Sequence, residues 1–584
     1  LKNLVLPGVG AIHVVDSADA PPVPKSGAGK EVFDNFFVFD DSSANEMEVE
    51  GTDASSNVPT RAEVACKYLC ELNPDVSGEH TTVPSLSSAD YASVLDDVVK
   101  KQSTTPSPSL LIVASDLPPK PLLNLSREAW DRGIPLIIVR SCGLIGSVRL
   151  QVEDHPVVES KPDSTVPDLR LADPSGPFPA LKALVDATDM DSMDNAEHSH
   201  VPYVIILLRA LAKWRSGLSS TEDATKTDML AGEVRFPKST AEKDSFRATI
   251  KSMARNFNDE LNFQEACGDA YLAYAKREIP WEVQELLDAT TDESVTAAIQ
   301  KYAPSGAGSR NIRFAVLLLA LKRFLAQSDG DWPPLDGKIP DMTASTEPYI
   351  ALQGAYKKRA DEDRAAVRAA VDAILSEQKA KVRNDIAVPS VTDEDVAAFC
   401  RNVQNLRKVI TRPYAEEWES HAPSADGEDA PMPTPQEEEI RSDLMMATMD
   451  PYEVPEHTPL LWHCALHAAD IFCERSGRYP GTPLDADKKA LEADAKEVQA
   501  ILEPICSAMG LDDTDLVKST LLNGSMAHAT EMTRYGNAEL HNVASVLGGV
   551  ASQEAVKIIT GQYVPLDNTY VYNGIAGTAG VYKF

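Results

Sequence analysis

Apolar positions show three textures in turn along this 584-residue chain. Near the start they come as short runs: Ile12–Asp16 (IHVVD), Leu110–Ala114 (LLIVA) and Pro135–Val139 (PLIIV). Runs of that length, bounded by turn residues, read as buried strands. Leu1–Val5 reads as the last turn of a helix stopped by Pro7 and Gly8. The stretch after LLIVA reads as a helix through Arg127 and Trp130, closed by Gly133. Strand, helix and strand at that spacing predict a right-handed crossover in a parallel sheet.

From about Pro162 to about residue 520 the spacing turns helical, with clear cases at Tyr203–Trp214, Arg313–Leu325, Tyr349–Lys358 and Pro459–Cys473. The last sixty residues return to the first texture. Asn542–Thr560 keeps Val543, Val546, Leu547, Val550 and Ile558 near one helical face, Gly561 follows as a cap, and Thr569–Tyr572 alternates as a strand. The pattern therefore predicts an α/β fold: a doubly wound domain over 1–160, an all-α insertion over 161–525, and the rest of the first domain over 526–584.

Two stretches interrupt it. Pro21–Asn57 and Glu416–Asp443 are acidic and rich in proline and small polar residues, a composition that predicts linkers rather than core. The whole chain is acidic as well, with 55 cations against 89 anions and a net charge of −34. Such a surface repels phosphate backbones and anionic lipid, so neither nucleic acid nor a membrane surface is an expected partner. The longest apolar runs, Val204–Leu208 and Ala315–Leu321, fall far short of the ~18 residues a membrane helix needs. Eight scattered cysteines without a C-x-x-C pair point to a reduced protein of the cytoplasm or nucleus.

Candidate chemistry is sparse. Gly8-Val9-Gly10 lies between a helix and a strand, whereas a phosphate loop lies between a strand and a helix, so the nucleotide-loop reading fails. A G-x-G-x-x-G, if there is one, lies upstream of Leu1, and the N-terminus reads as truncated. Asp16 ends a strand where nucleotide folds place an acid on ribose hydroxyls, and the simpler reading is a solvated strand-end carboxylate. His463 and His467, four apart, are either a metal pair or two histidines on one helix face. Gly548-Gly549 inside a helix suggests close backbone approach, to the sheet or to a second subunit, or else local packing. No residue set predicts a catalytic, cofactor or metal site.

Taken in order, the segments resemble the regulatory subunits of the enzyme that activates the neddylation modifier, a branch of the ubiquitin-activating superfamily. LKNLVLPGVGAIHVVD, AEVACKYLCELNPDVSG, IPLIIVRSCGLIGSVRL, EDHPVVES and DLRL resemble the family's opening. HSHVPYVIILLRALAKW, KIPDM and YIALQGAYKKRA are similar to its helical insertion. GRYPG and HNVASVLGGVASQEAVKIITGQYVPLDNTYVYNG resemble its close. The resemblance implies a Rossmann-like pseudo-adenylation domain with a helical insertion.

It also implies a division of labour. Catalytic relatives carry an Asn-x-Asn-Arg-Gln run and then a lysine. This chain has Asp34-Asn35-Phe36-Phe37 and Arg61 in those places, and Asp116-Leu117-Pro118-Pro119 after LLIVAS, without the later arginine. The resemblance thus implies no cofactor bound by this chain alone. ATP and magnesium would sit in a catalytic adenylation and thioester-forming subunit, the expected heterodimer partner, with the neddylation ubiquitin-like modifier as the other. An arginine that the family lends to the partner's ATP site would lie before Leu1. The family's partner-contacting segment matches Asp341–Gly354, with Asp341, Met342, Tyr349, Leu352 and Gln353 fitting best. On a helix Tyr349 and Leu352 share a face, directed at the partner or at this chain's own core. An autonomous adenylating enzyme and a regulatory subunit for the SUMO modifier are the alternatives.

Overall fold

The structure is a computed structural model. It describes residues 1–18, 60–86, 89–102, 110–218, 235–276, 278–303, 308–327, 332–383, 386–421, 434–448, 457–482, 487–512, 514–521 and 525–584. The segment Pro21–Asn57, expected as a linker, lies outside them, as do Asp34–Phe37. The chain divides into two compact units, one formed mainly by Leu1–His155 with Lys408–Phe584, the other by Pro156–Pro304 with Ser309–Arg407.

The first unit is mixed α/β. Its main sheet has five strands in the order Ile112–Ser115, Leu136–Cys142, Ile145–Gln151, Thr569–Asn573 and Thr578–Tyr582. The first pair is parallel, with Ile112 beside Leu136, and helix Pro119–Asp131 connects it as the spacing predicts. The other three pairs are antiparallel, so the sheet is mixed where an all-parallel one was expected. Cys142 and Ile145 are paired across a tight turn at Gly143 (φ 56°), and a two-residue connection of this kind can only reverse the chain. Ala11–Ser17 pairs instead with Ser77–Val83, in parallel, as a separate two-stranded sheet. Only Ile12 of its five IHVVD residues is buried, where the apolar run suggested a fully covered strand.

Alternation along Leu136–Cys142 explains why that strand is apolar on both sides. Leu136 and Ile138 point into one core, which they share with the helix Pro459–Ser476. Ile137 joins another with Val543, Leu547, Ala551 and Ile558 of the helix His541–Thr560. Every residue from Pro459 to Phe472 is buried, the mark of a core helix rather than a surface one. Close approach of the His541–Thr560 helix to the sheet occurs at Gly146, where a Cβ would lie 2.4 Å from Leu547 Cδ1. At Gly548 and Gly549 a Cβ would meet nothing within 4 Å, so that pair is not what lets helix and sheet close.

The stretch Glu416–Asp443, expected as a linker, is folded at both ends. Tyr414–His421 and Pro435–Ala447 are helices, the second opened by a Thr434/Glu437 capping box. Trp418 and Leu444 enter the same core as Leu136. Residues 422–433 lie outside the described residues. The helices between 414 and 535 therefore pack with the sheet, and the expected 161–525 insertion spans parts of both units.

The second unit is helical and has two cores. One gathers Tyr203–Leu218, Thr240–Met253, Leu261–Gly268 and the first turns of the 36-residue helix Thr346–Lys381. The other gathers Asp292–Tyr302, Ser309–Gln327, Asp393–Asn402 and the later turns of that long helix. Among the described residues no helix is long and apolar enough to cross a membrane.

Candidate functional site

Nucleotide chemistry in an α/β unit belongs at the carboxyl ends of its strands, and both sheets of the first unit end there in ion pairs. Asp16, at the end of its strand, accepts from Arg61 Nε at 2.5 Å and Arg61 Nη2 at 2.9 Å. Arg61 opens the helix Arg61–Glu71, whose Thr60 cap accepts from the Glu63 amide and the Thr82 hydroxyl. Its hydrogen bonds to Asp16 raise the guanidinium above its ordinary range. Both Asp16 oxygens are thus engaged by a side chain of the same chain.

The second cluster centres on Arg140, which is 6% exposed. Its Nε and Nη2 donate to Asp470 at 3.0 and 2.8 Å, and its Nη1 donates to Asp116 at 2.9 Å and to Asn537. The Tyr479 ring lies 4.8 Å from the guanidinium carbon. Burial opposes the charge on Arg140, yet Asp470, Tyr479 and Asp116 more than offset it and hold it protonated. Burial in turn lifts Asp470 above the usual carboxylate range, against the pull of Arg140. Asp116 (φ 45°) and Asn537 (φ 68°) are both held in the left-handed region, a strain that the network's bonds must offset. Asp116 also shares a hydrogen bond with Glu539, which, with burial, pushes the Glu539 carboxyl up to about 8.

These residues do not fit ATP and magnesium. The acid that would meet a ribose is closed by Arg61, and Asp116 is bound by Arg140 and by the Ser141 amide at 3.1 Å. The Gly8–Gly10 turn runs from a helix into a strand. Among the described residues no group of three His, Cys, Asp or Glu side chains could hold a metal ion. His463 stacks 4.3 Å from the Phe584 ring and His467 meets Trp418 edge-on at 4.6 Å, so both histidines line a core. The eight cysteines are all free thiols.

The segment 341–354 lies in the second unit. Met342 and Leu352 are directed into this chain's own core, at 9% and 0% exposure, and Tyr349 packs against the same core at its edge. For Tyr349 and Leu352 this is the inward of the two directions that their spacing allowed, and Met342 lies in the same core. Asp341 and Gln353 are exposed, beside Ile350 at 59%. Thr343 fixes the approach to the helix, its amide and hydroxyl donating to Glu265 at 2.9 and 2.6 Å. Asp341, Ile350 and Gln353 are among the outward residues of the segment, and sequence spacing does not single out Ile350.

Comparison with known proteins extends over the whole chain. A frog (Xenopus laevis) NEDD8-activating enzyme E1 regulatory subunit is 31% identical over 590 residues, covering 100% of this chain and 92% of the relative. This chain belongs to that family. The chicken (Gallus gallus) regulatory subunit is 30% identical over 100% of this chain and 91% of its own length. A plant (Arabidopsis thaliana) one is 30% identical over 98% and 88%. No protein-family model matches the chain. Sequence spacing does not single out Arg140 or Asp470; a charged residue closing an apolar run, as Arg140 does in PLIIVR, was the available signal.

Proposed function

We propose that this chain is the regulatory half of a two-chain enzyme activating the neddylation modifier, and that it works by completing a catalytic partner. The partner binds ATP and magnesium, adenylates the modifier's C-terminal carboxylate and carries it as a thioester. The α/β unit is a Rossmann-like pseudo-adenylation domain interrupted by the helical unit. The outward face of Asp341–Gly354, carrying Asp341, Ile350 and Gln353, contributes to the partner contact, while Met342, Tyr349 and Leu352 hold that segment on its own core. Free thiols and an acidic surface suit a cytoplasmic or nuclear setting. The observation that carries the reading is the 31% identity over the entire chain to a NEDD8-activating enzyme E1 regulatory subunit.

The test is co-expression with a catalytic adenylation subunit of the same pathway, followed by gel filtration and modifier-dependent pyrophosphate exchange. The expected result is a one-to-one heterodimer, with exchange only when both chains are present. Exchange by this chain alone would overturn the reading in favour of an autonomous adenylating enzyme. Assembly with the SUMO pathway's catalytic subunit instead would favour that alternative.

A further inference from the structure

In a chain of net charge −34, residues 235–255 run the other way. They hold six cations (Arg235, Lys238, Lys243, Arg247, Lys251, Arg255) and two anions (Glu242, Asp244), so 6 − 2 = +4 in 21 residues. The helix Thr240–Met253 turns Phe246 and Ile250 inward, both 0% exposed. Lys243, Arg247 and Lys251 recur every fourth residue, so they form one ridge along the border of that buried face, with steps of about 6 Å.

The ridge is neither neutralised nor floppy. Glu242 is consumed by its own helix end, accepting from the Ser239 and Lys238 amides at 2.9 Å each and from Arg235 at 2.6 Å. Asp244 reaches Arg247 only at 3.6 Å, across exposed surface. Arg255 donates to Asn195 and to the Met193 carbonyl, acceptors without formal charge. The Lys243 ammonium lies 5.4 Å from the Tyr274 ring centre and that of Lys251 5.3 Å from Phe257, which restrains both heads on the surface. A second basic stretch, 401–412, is different. There Arg407, Lys408 and Arg412 each meet a carboxylate, Glu282, Asp154 and Glu437, at 3.1, 2.9 and 3.2 Å. Those three cations are closely paired, whereas the ridge has only the long, exposed Asp244–Arg247 contact.

We infer that the Lys243–Arg247–Lys251 ridge is a docking face for an acidic segment of a partner protein, with carboxylates spaced to meet successive cations. Restrained cations lose little freedom on binding, and the rest of the acidic surface sets a limit on the partner. A polyphosphate chain carries its charge continuously and is repelled by that surrounding surface, whereas a short acidic segment can place its few charges on the ridge alone. The inference does not depend on the regulatory-subunit reading, since it rests on a local excess of positive charge within the helical unit.

The experiment uses the full chain and a fluorescein-labelled helical peptide bearing four glutamates at every fourth position. Binding is read by anisotropy at about 50 mM and about 300 mM salt. We expect binding at the lower salt, weakened at the higher. Three exposed ion pairs together should be worth about tenfold, so K243E/R247E/K251E should weaken it by at least that factor. The milder K243Q/K251Q, which leaves the helix charge pattern otherwise intact, should fall between. K182E/K488E, reversing two exposed lysines elsewhere, should change nothing. Circular dichroism and thermal melting check that the variants fold; if the triple reversal does not, K243Q/K251Q decides alone. No binding by wild type, equal loss in K182E/K488E, or an oligothymidylate of matching charge binding as tightly through the same residues would each overturn the inference.

Discussion

The strand ends of the α/β unit and the start of the long helix in the helical unit are opposites in how they treat polar groups. At the strand ends, Asp16, Asp116, Arg140 and Asp470 all find partners within the chain, and Arg140 and Asp470 are almost fully enclosed. Around 341–354 the apolar groups are enclosed instead, and Asp341, Ile350 and Gln353 are left facing outward. A polar group already bonded inside its own fold must break that bond before it can meet a ligand, at a cost of about 1–3 kcal/mol. An exposed group has only water to give up. By that measure the first region has been closed to chemistry and the second left open to recognition.

The largest expected effect comes from opening the closed region. Arg140→Met leaves Asp470 buried without its cation and removes a partner of Asp116, which should cost about 3–5 kcal/mol by urea unfolding. The double variant R140M/D470L, which removes both charges, should recover much of that loss. Equal losses in the two variants would mean that the network matters for packing alone. Glu417→Leu should behave similarly, because Glu417 and Arg149 are each 3% exposed and 2.7 Å apart.

In the open region, Leu352→Ala should destabilise the chain by about 2–5 kcal/mol, as truncation of a fully buried leucine does. I350A/Q353A should change stability by less than about 0.5 kcal/mol. It should nevertheless weaken affinity for the catalytic partner by about 1–3 kcal/mol if the outer face contributes to the contact. Calorimetric titration of the partner measures the second quantity and thermal unfolding the first. A double variant that binds the partner as wild type does would confine the segment's role to its own core.

Acid should find the closed region from another side. His528 is 0% exposed beside Trp462, and burial pushes its pKa down from 6.5 to about 4. The unfolded chain takes up the proton first, so this group's contribution is present above pH 6.5 and is lost as pH falls towards 4. The expected loss is about 2–3 kcal/mol, read as the slope of unfolding free energy between pH 6.5 and 4.5. His528→Phe should flatten that slope. An unchanged slope would put the acid sensitivity in the carboxylates instead.

Much of this architecture was legible in the residues. Strand PLIIV, helix Asn542–Thr560 and its Gly561 cap depend on neighbours in sequence, and periodicity reads such neighbours well. What escaped depends on residues far apart. Arg140 meets Asp470 across 330 positions, and no local pattern encodes that pairing. The stretch Glu416–Asp443 misled for a related reason: its mean composition is that of a linker, while Trp418 enters the core near one end and Ile440 packs against it near the other. Gly548-Gly549 misled because a glycine pair signals close approach without saying on which face, and here the close face belongs to Gly146.

The smallest expected effect tests whether closure itself keeps nucleotide out. Arg61 and Asp16 keep 36% and 17% of their side chains exposed, so their pair is screened by water and salt. Arg61→Ala should therefore lower stability by no more than about 1 kcal/mol, less at high salt, in contrast to Arg140→Met. It also leaves Asp16, the group best placed to meet a ribose, bound only by the Ser17 amide at 2.8 Å. If the Arg61 bond were the sole barrier, R61A or R61K would gain measurable affinity for magnesium-ATP by calorimetry. The expected result is no binding in either variant, because Asp116 remains held by Arg140 and Ser141, and the Gly8–Gly10 turn still presents the wrong order of elements for a phosphate loop. Binding by R61K would show that one ion pair separates this site from a working one.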